Sequence, residues 1–171
     1  QKSRRPTILF VGNFKWLPNK DATKFLVEEI WPKIKAKVKN AKLWIVGRNP
    51  TEDIKKYESA DIKVEEGIED IRQAYGNCDV LLAPIRNGRG TKYKILEAMA
   101  TRTPIVGTTL ATEGIDIKNT IHAYVAQDAD GLAKKTVYIL KNPNVGKKIA
   151  ENAYHLVSKD YNWKKISDIL D

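Results

Sequence analysis

The residues Gly88-Arg89-Gly90-Thr91-Lys92-Tyr93-Lys94 follow an apolar run ending at Ala83 and lead into Ile95-Leu96-Glu97-Ala98-Met99-Ala100. A strand feeding a glycine-rich turn, and the turn a helix, makes a corner suited to an anion. Glycines let backbone amides converge, and the first amides of a helix carry partial positive charge. A phosphate fits there. Arg89, Lys92 and Lys94 add full charges. Charge-assisted hydrogen bonds contribute roughly 1.5–3 kcal/mol each, against under about 1 kcal/mol for an exposed helix terminus. The cations are therefore expected to set affinity and the amides geometry. Glu97, one to two turns further along, is a poor phosphate neighbour but a good bidentate acceptor for two ribose hydroxyls. The plainer reading makes it a surface residue paired with Lys94. An anion cradle beside a carboxylate is what a nucleoside diphosphate needs.

The elements that must hold these residues are legible as apolar runs. Thr7-Ile8-Leu9-Phe10-Val11-Gly12 and Leu43-Trp44-Ile45-Val46-Gly47 are continuous and stop at glycine, as strands buried on both faces do. Shorter strands are expected at 62–64, 79–83, 104–107 and 122–125. Between them the pattern predicts helices over 21–39, 52–59, 68–75 and 92–101. Two or three more helices close the chain from about Leu132. In the first helix Leu26, Ile30, Ile34 and Val38 form one stripe, and Pro32 should kink or break it. The closing helices show stripes at Ile149, Ala153, Leu156 and Val157, then at Trp163, Ile166 and Leu170. Strands alternating with helices imply right-handed crossovers. The expectation is α/β: one doubly wound parallel sheet of about six strands with helices on both faces, spanning 1–171. Ligands of such sheets bind beyond the carboxyl ends of the strands, here after Gly12, Gly47, Val64, Ala83 and Gly107.

Composition narrows the class. The 171 residues suit one domain, and 42% apolar with 30% charged residues is a globular balance. No apolar run approaches the roughly 18–20 residues that span a bilayer. A net charge of +9 favours polyanionic partners. Much of it is Lys33, Lys35, Lys37 and Lys39, which at helical spacing read as a solvated face. The single cysteine, Cys78, forms no internal disulfide, fits a reducing cytosol, and reads as a small core residue.

Other motifs favour structural roles. Asp128-Ala129-Asp130 resembles a metal-binding Asp-x-Asp, yet it precedes a helix whose free amides aspartates cap. His122 and His155 have no nearby nucleophile or ligand partner in sequence. A Walker pattern is absent, and Tyr93 occupies the third glycine of a dinucleotide fingerprint.

Further segments complete a pattern: Phe10 to Ala22, Ile45-Val46-Gly47-Arg48-Asn49-Pro50, Gly90 to Ala100, Thr103-Pro104-Ile105-Val106, Thr112-Glu113-Gly114-Ile115 and Tyr161-Asn162-Trp163. Almost end to end, the chain resembles the C-terminal domain of family 4, or group 1, glycosyltransferases, one Rossmann-like half of a GT-B enzyme. The resemblance implies a retaining, metal-independent hexosyltransferase. It would move a sugar from a nucleoside diphosphate donor to a glycan or lipid-linked acceptor, without cofactor, in polysaccharide biosynthesis. Its second family glutamate matches Glu97, the ribose ligand. Its first falls on Arg89, which is read as a phosphate ligand that shares leaving-group stabilisation with Lys92 and Lys94. The donor would meet Gly12, Asn13, Arg48, Gly88, Gly90, Thr91, Tyr93 and Glu113, with Lys15 or Lys20 as a second cation and the Ile68 backbone at the base.

By the same resemblance an N-terminal acceptor domain is absent from this chain, which alone would bind nucleotide weakly and transfer nothing. Trp16 lies beside the donor loop or packs against that domain. The location expected is cytoplasmic, with a peripheral contact at the inner membrane face allowed by the basic surface. Two other classes stay open: a nucleic-acid-binding module, against which the scattered charge argues, and a nucleotide-sensing domain without catalysis.

Overall fold

A computed structural model of the chain describes residues 4–90 and 92–160. Thr91 and the stripe at Trp163, Ile166 and Leu170 lie outside the described residues. Among those described, β1 (Thr7–Asn13), β2 (Lys42–Arg48), β3 (Ile62–Glu66), β4 (Val80–Ala83), β5 (Ile105–Gly107) and β6 (Tyr124–Val125) form one sheet. Every pairing is parallel and the order is β3-β2-β1-β4-β5-β6. The chain winds outward from β1 to β3, then crosses back to β4. The winding therefore reverses between β1 and β4, where the strand ends open a crevice for ligands.

Both faces are covered, as the unbroken apolar runs predict. Alternate residues Ile8, Phe10, Leu43, Ile45, Val80 and Leu82 pack against α1 (Leu17–Phe25), α2 (Trp31–Lys37) and α7 (Ala129–Lys141). The opposite residues Leu9, Val46, Leu81, Ala83 and Ile105 meet α4 (Ile71–Gly76), α5 (Tyr93–Ala100) and α8 (Pro143–Asp160). Two short helices, α3 (Glu52–Lys55) and α6 (Thr109–Thr112), complete the set. Burying both faces of a central strand leaves no polar side of the sheet, hence no alternation in the sequence.

The helix boundaries depart from the sequence reading in instructive ways. The first helix begins at Leu17 rather than near Asp21, with Pro18 in its opening turn. Proline loses nothing there, because that N–H has no helical partner anyway. Pro32 does not break the segment. The chain widens into a π turn at Leu26–Ile30 and resumes as α2 at Trp31, whose N–H reaches the Leu26 carbonyl. Leu26, Ile30 and Ile34 stay fully buried through the change, whereas Val38 is only partly covered. Helix α4 starts at Ile71, three residues later than expected, because the Asp70 carboxylate accepts the Arg72 N–H at 3.0 Å and fixes the cap. Lys33, Lys37 and Lys39 are exposed, as a solvated face requires. No helix among the described residues is long and apolar enough to cross a membrane.

Where β1 and β2 run side by side, Gly12 is the register partner of Gly47. A side chain at Gly47 would land on the Gly12 carbonyl oxygen and come within 2.8 Å of the Phe14 ring. That contact lets both strands end together at the crevice.

Candidate functional site

Helix α5 starts at the carboxyl end of β4, beside the end of β1. Its cap residue, Lys92, supplies no side-chain hydrogen bond to the helix start. Asp70, Thr108 and Asp128 do cap α4, α6 and α7. The first amides of a helix at a switch point suit an incoming anion.

The loop before it is held against α1, and Thr108 bonds its Ile85 carbonyl. Gly88 has φ +87° and lies against Pro18, whose ring would be 2.5 Å from an added Cβ. Arg86 reaches back to α1, where its Nη2 and Nε bond the two Asp21 oxygens at 2.8 and 3.1 Å. Its guanidinium also lies 4.1 Å from the centre of the Phe25 ring. Arg86→Ala is expected to destabilise the chain by about 1–2 kcal/mol, from a bidentate pair and a cation–π contact at a partly exposed site. Thermal unfolding should register this as a fall of several degrees; an unchanged transition would show that the clamp contributes nothing.

The cations named from sequence are not gathered at one point. Arg89 is exposed. Lys92 turns its ammonium to the Leu110 carbonyl at α6. Lys94 points inward, donating to Asn19 Oδ1 at 2.8 Å, with its nitrogen 5.2 Å from the Phe10 ring centre. Burial pushes the Lys94 ammonium down to about 8; nearby Glu97 favours its charge and Lys92 opposes it. Both lysines are thus held by neutral oxygen acceptors, weaker partners than a phosphate.

Glu97 is neither a free surface residue nor bonded to Lys94. It is half-buried, and its Oε2 accepts the Tyr75 hydroxyl proton at 2.8 Å. Burial raises its carboxyl above the ordinary range, while the Tyr75 hydrogen bond and the Lys94 charge draw it back in part.

Around the β1 end, Gly12 lies against the start of α1. The space a Cβ would fill is taken by Asn19, 2.9 Å away at Cγ. Asn19 in turn donates to the Asn13 carbonyl at 2.9 Å, so Gly12 admits the residue that holds Lys94. The Asn13 side chain accepts the Lys15 N–H at 3.1 Å and shapes the turn. Lys15 itself is exposed. Lys20 lies 3.8 Å from Asp53 and lines an open cavity of about 460 Å³ with Lys24, Lys56 and Asn87. Arg48 and Glu113 are exposed at the ends of β2 and α6, and Ile68 is partly buried. Gly90 has open space where a side chain would project. Tyr93 opens α5. A second cavity, about 550 Å³ between β6 and α7, contains none of these residues.

The structural readings of the remaining motifs hold. Asp128 Oδ1 accepts the Gly131 N–H at 2.6 Å, and Asp130 bonds Lys33 at 2.8 Å. Cys78 is buried, its thiol pushed up to about 12 by desolvation. His122 accepts the Lys118 N–H, and His155 is exposed beside Glu151.

Sequence reasoning missed Tyr75, Asn19 and Arg86. Pro18 was the available signal for Asn19, since it marks a helix beginning two residues earlier. Tyr75 and Arg86 depend on contacts between distant segments and left no local mark.

An open parallel sheet of this order, with helices on both faces, defines a Rossmann-like α/β architecture. Residues 5–142 match the family of glycosyl transferases group 1, and the chain belongs to that family. A curated relative, an uncharacterized 44.6 kDa protein in the cps region of Klebsiella pneumoniae, is 28% identical over 169 residues. The match covers 93% of this chain and 43% of the relative, so the chain spans less than half of that protein's length. Among solved structures, a mutant of S. aureus TarM in complex with fondaparinux, α-GlcNAc-glycerol and UDP is similar with a TM-score of 0.80. Identity there is 13%, over 96% of this chain and 34% of that one. The C-terminal domain of a group 1 glycosyl transferase, LpcC from Francisella tularensis, is similar with a TM-score of 0.69 and 18% identity. That likeness covers 94% of both chains.

Proposed function

We propose that this chain is the donor-binding domain of a retaining glycosyltransferase that uses a nucleoside diphosphate sugar and no metal. The observation that carries the reading is the half-buried Glu97 carboxylate, held by Tyr75 on the helix that follows β4 at the β1–β4 switch point. The diphosphate meets the α5 amides together with Arg89, Lys92 and Lys94; Glu97 takes the ribose. Thr91 of the same turn, with Gly12, Asn13, Lys15, Lys20, Arg48, Ile68, Gly88, Gly90, Tyr93 and Glu113, completes the donor surroundings by family resemblance. UDP in the TarM complex supports a nucleotide ligand. When the glycosidic bond to the diphosphate breaks, negative charge grows on the leaving oxygens. Lys92 and Lys94 exchange their neutral acceptors for that charge, and one preorganised donor of this kind contributes about 10²–10³ in rate. The sugar is a hexose. The acceptor is a glycan or lipid-linked sugar, held by an N-terminal domain of the whole enzyme, which works in polysaccharide biosynthesis at the cytoplasmic membrane face. The chain alone binds nucleotide and transfers nothing.

Titration with UDP, GDP and inorganic pyrophosphate, followed by NMR, tests this. A nucleoside diphosphate is expected to shift the amides of residues 92–97, and its affinity should fall as pH rises through about 8 and Lys94 loses its proton. Shifts confined to other regions at millimolar ligand would overturn the reading. Turnover of a nucleotide sugar by the chain alone would overturn its last part.

A further inference from the structure

Resting on the assignment of Glu97 to the ribose, we propose that Tyr75 is the positioning residue of the donor site. Its hydroxyl fixes one oxygen of the Glu97 carboxylate and leaves the other turned to the sugar hydroxyls.

Tyr75 lies near the end of α4 and is 2% exposed. Its ring packs in the apolar cluster with Ala98, Met99 and Ile105. A phenylalanine would serve that packing equally well, so the hydroxyl needs its own explanation. Both of its contacts lie on α5: Glu97 Oε2 at 2.8 Å and the Lys94 carbonyl at 3.1 Å. The hydroxyl has one proton, and the shorter contact to the more basic carboxylate takes it. With one oxygen anchored, the carboxylate loses its rotational freedom before any ligand arrives, which lowers the entropic cost of binding.

The same bond governs charge. Burial disfavours ionised Glu97, whereas Tyr75 from α4 and Lys94 from α5 favour it; Lys92 opposes the charge on Lys94. An ionised carboxylate accepts a ribose hydroxyl more strongly than a neutral acid does. Desolvation and the Glu97 charge keep the Tyr75 hydroxyl protonated well above its ordinary range, so it remains a donor.

The test compares wild type, Tyr75→Phe, Glu97→Ala and Glu97→Gln, each titrated with UDP and 2′,3′-dideoxy-UDP from mildly acid to neutral pH. The ratio of the two affinities isolates the ribose contact, because phosphate ionisation cancels. In wild type the ratio should rise with pH as Glu97 ionises. Tyr75→Phe should lower the neutral ratio about three- to tenfold, the effect of one hydrogen bond. It should also move the acid limb to higher pH and leave dideoxy-UDP affinity unchanged. Glu97→Gln should keep part of the ratio without an acid limb, a result that holds even if Tyr75→Phe folds poorly. If Tyr75→Phe leaves ratio and limb at wild-type values while Glu97→Ala abolishes the preference, Tyr75 only packs and the proposal fails. Equal weakening of both ligands by Tyr75→Phe would also refute it. A wild-type ratio in Glu97→Ala would instead remove the ribose assignment itself.

Discussion

An alanine at position 47 is expected to cost the chain its fold. The added methyl would meet the Gly12 carbonyl oxygen and stand 2.8 Å from Phe14 Cε2. Side chains can rotate out of a clash, but the main obstacle here is the backbone of the neighbouring strand. Relief requires β1 and β2 to part where they are paired in register. That would strain the bond from the Phe14 N–H to the Arg48 carbonyl at 3.0 Å. Ordinary overpacking costs about 1–3 kcal/mol. A backbone collision between two central strands should exceed about 4 kcal/mol, a large part of the roughly 5–15 kcal/mol that holds a domain together. Gly90→Ala is the control: nothing lies within 4 Å of its added Cβ. Chemical denaturation should show Gly90→Ala near wild type and Gly47→Ala unfolded or nearly so. A folded Gly47→Ala with a similar midpoint would mean the strands separate more easily than their pairing implies.

Glu97→Ala should weaken UDP or GDP, whichever binds, by roughly 10–100-fold, corresponding to loss of charge-assisted bonds of about 1.5–3 kcal/mol. Inorganic pyrophosphate should be affected far less, because losing a nearby negative charge is offset by the weaker hold on the Lys94 proton. Stability should change little. The carboxylate is itself half-buried at a cost, and the Tyr75 hydroxyl keeps the Lys94 carbonyl 3.1 Å away as an acceptor. Calorimetric titration with both ligands separates the outcomes. Equal losses for nucleotide and pyrophosphate would place the ribose elsewhere.

The sheet was readable because burial on both faces writes itself as unbroken apolar runs. Ile8-Leu9-Phe10 and Leu43-Trp44-Ile45-Val46 admit little else, and alternation with helices made the strands parallel. Strand order was not in the sequence, because nothing local tells β4 to return beside β1. The turn that leads into α5 was legible through Gly88, Lys92 and Lys94, whose types and spacing have a local meaning. The directions of those side chains were not. Lys94 turns inward because Asn19, 75 positions away in the chain, offers an oxygen. That Gly12 lies against this asparagine was likewise hidden. Glu97 was recognised as special, but its partner, Tyr75, sat in a segment read only as a helix end. Local chemistry was thus visible, and pairings across the fold were not.

The π turn at Leu26–Ile30 carries a consequence for how the first crossover tolerates change. It holds one residue more than an α-helical turn would. Tightening it to α-helical geometry with all its residues kept would rotate everything downstream by about 100° relative to the sheet. Ile34 would swing off the core and a lysine would take its berth. The wide loop of backbone is therefore a phase adjuster that lets a proline-bearing helix meet the sheet in step.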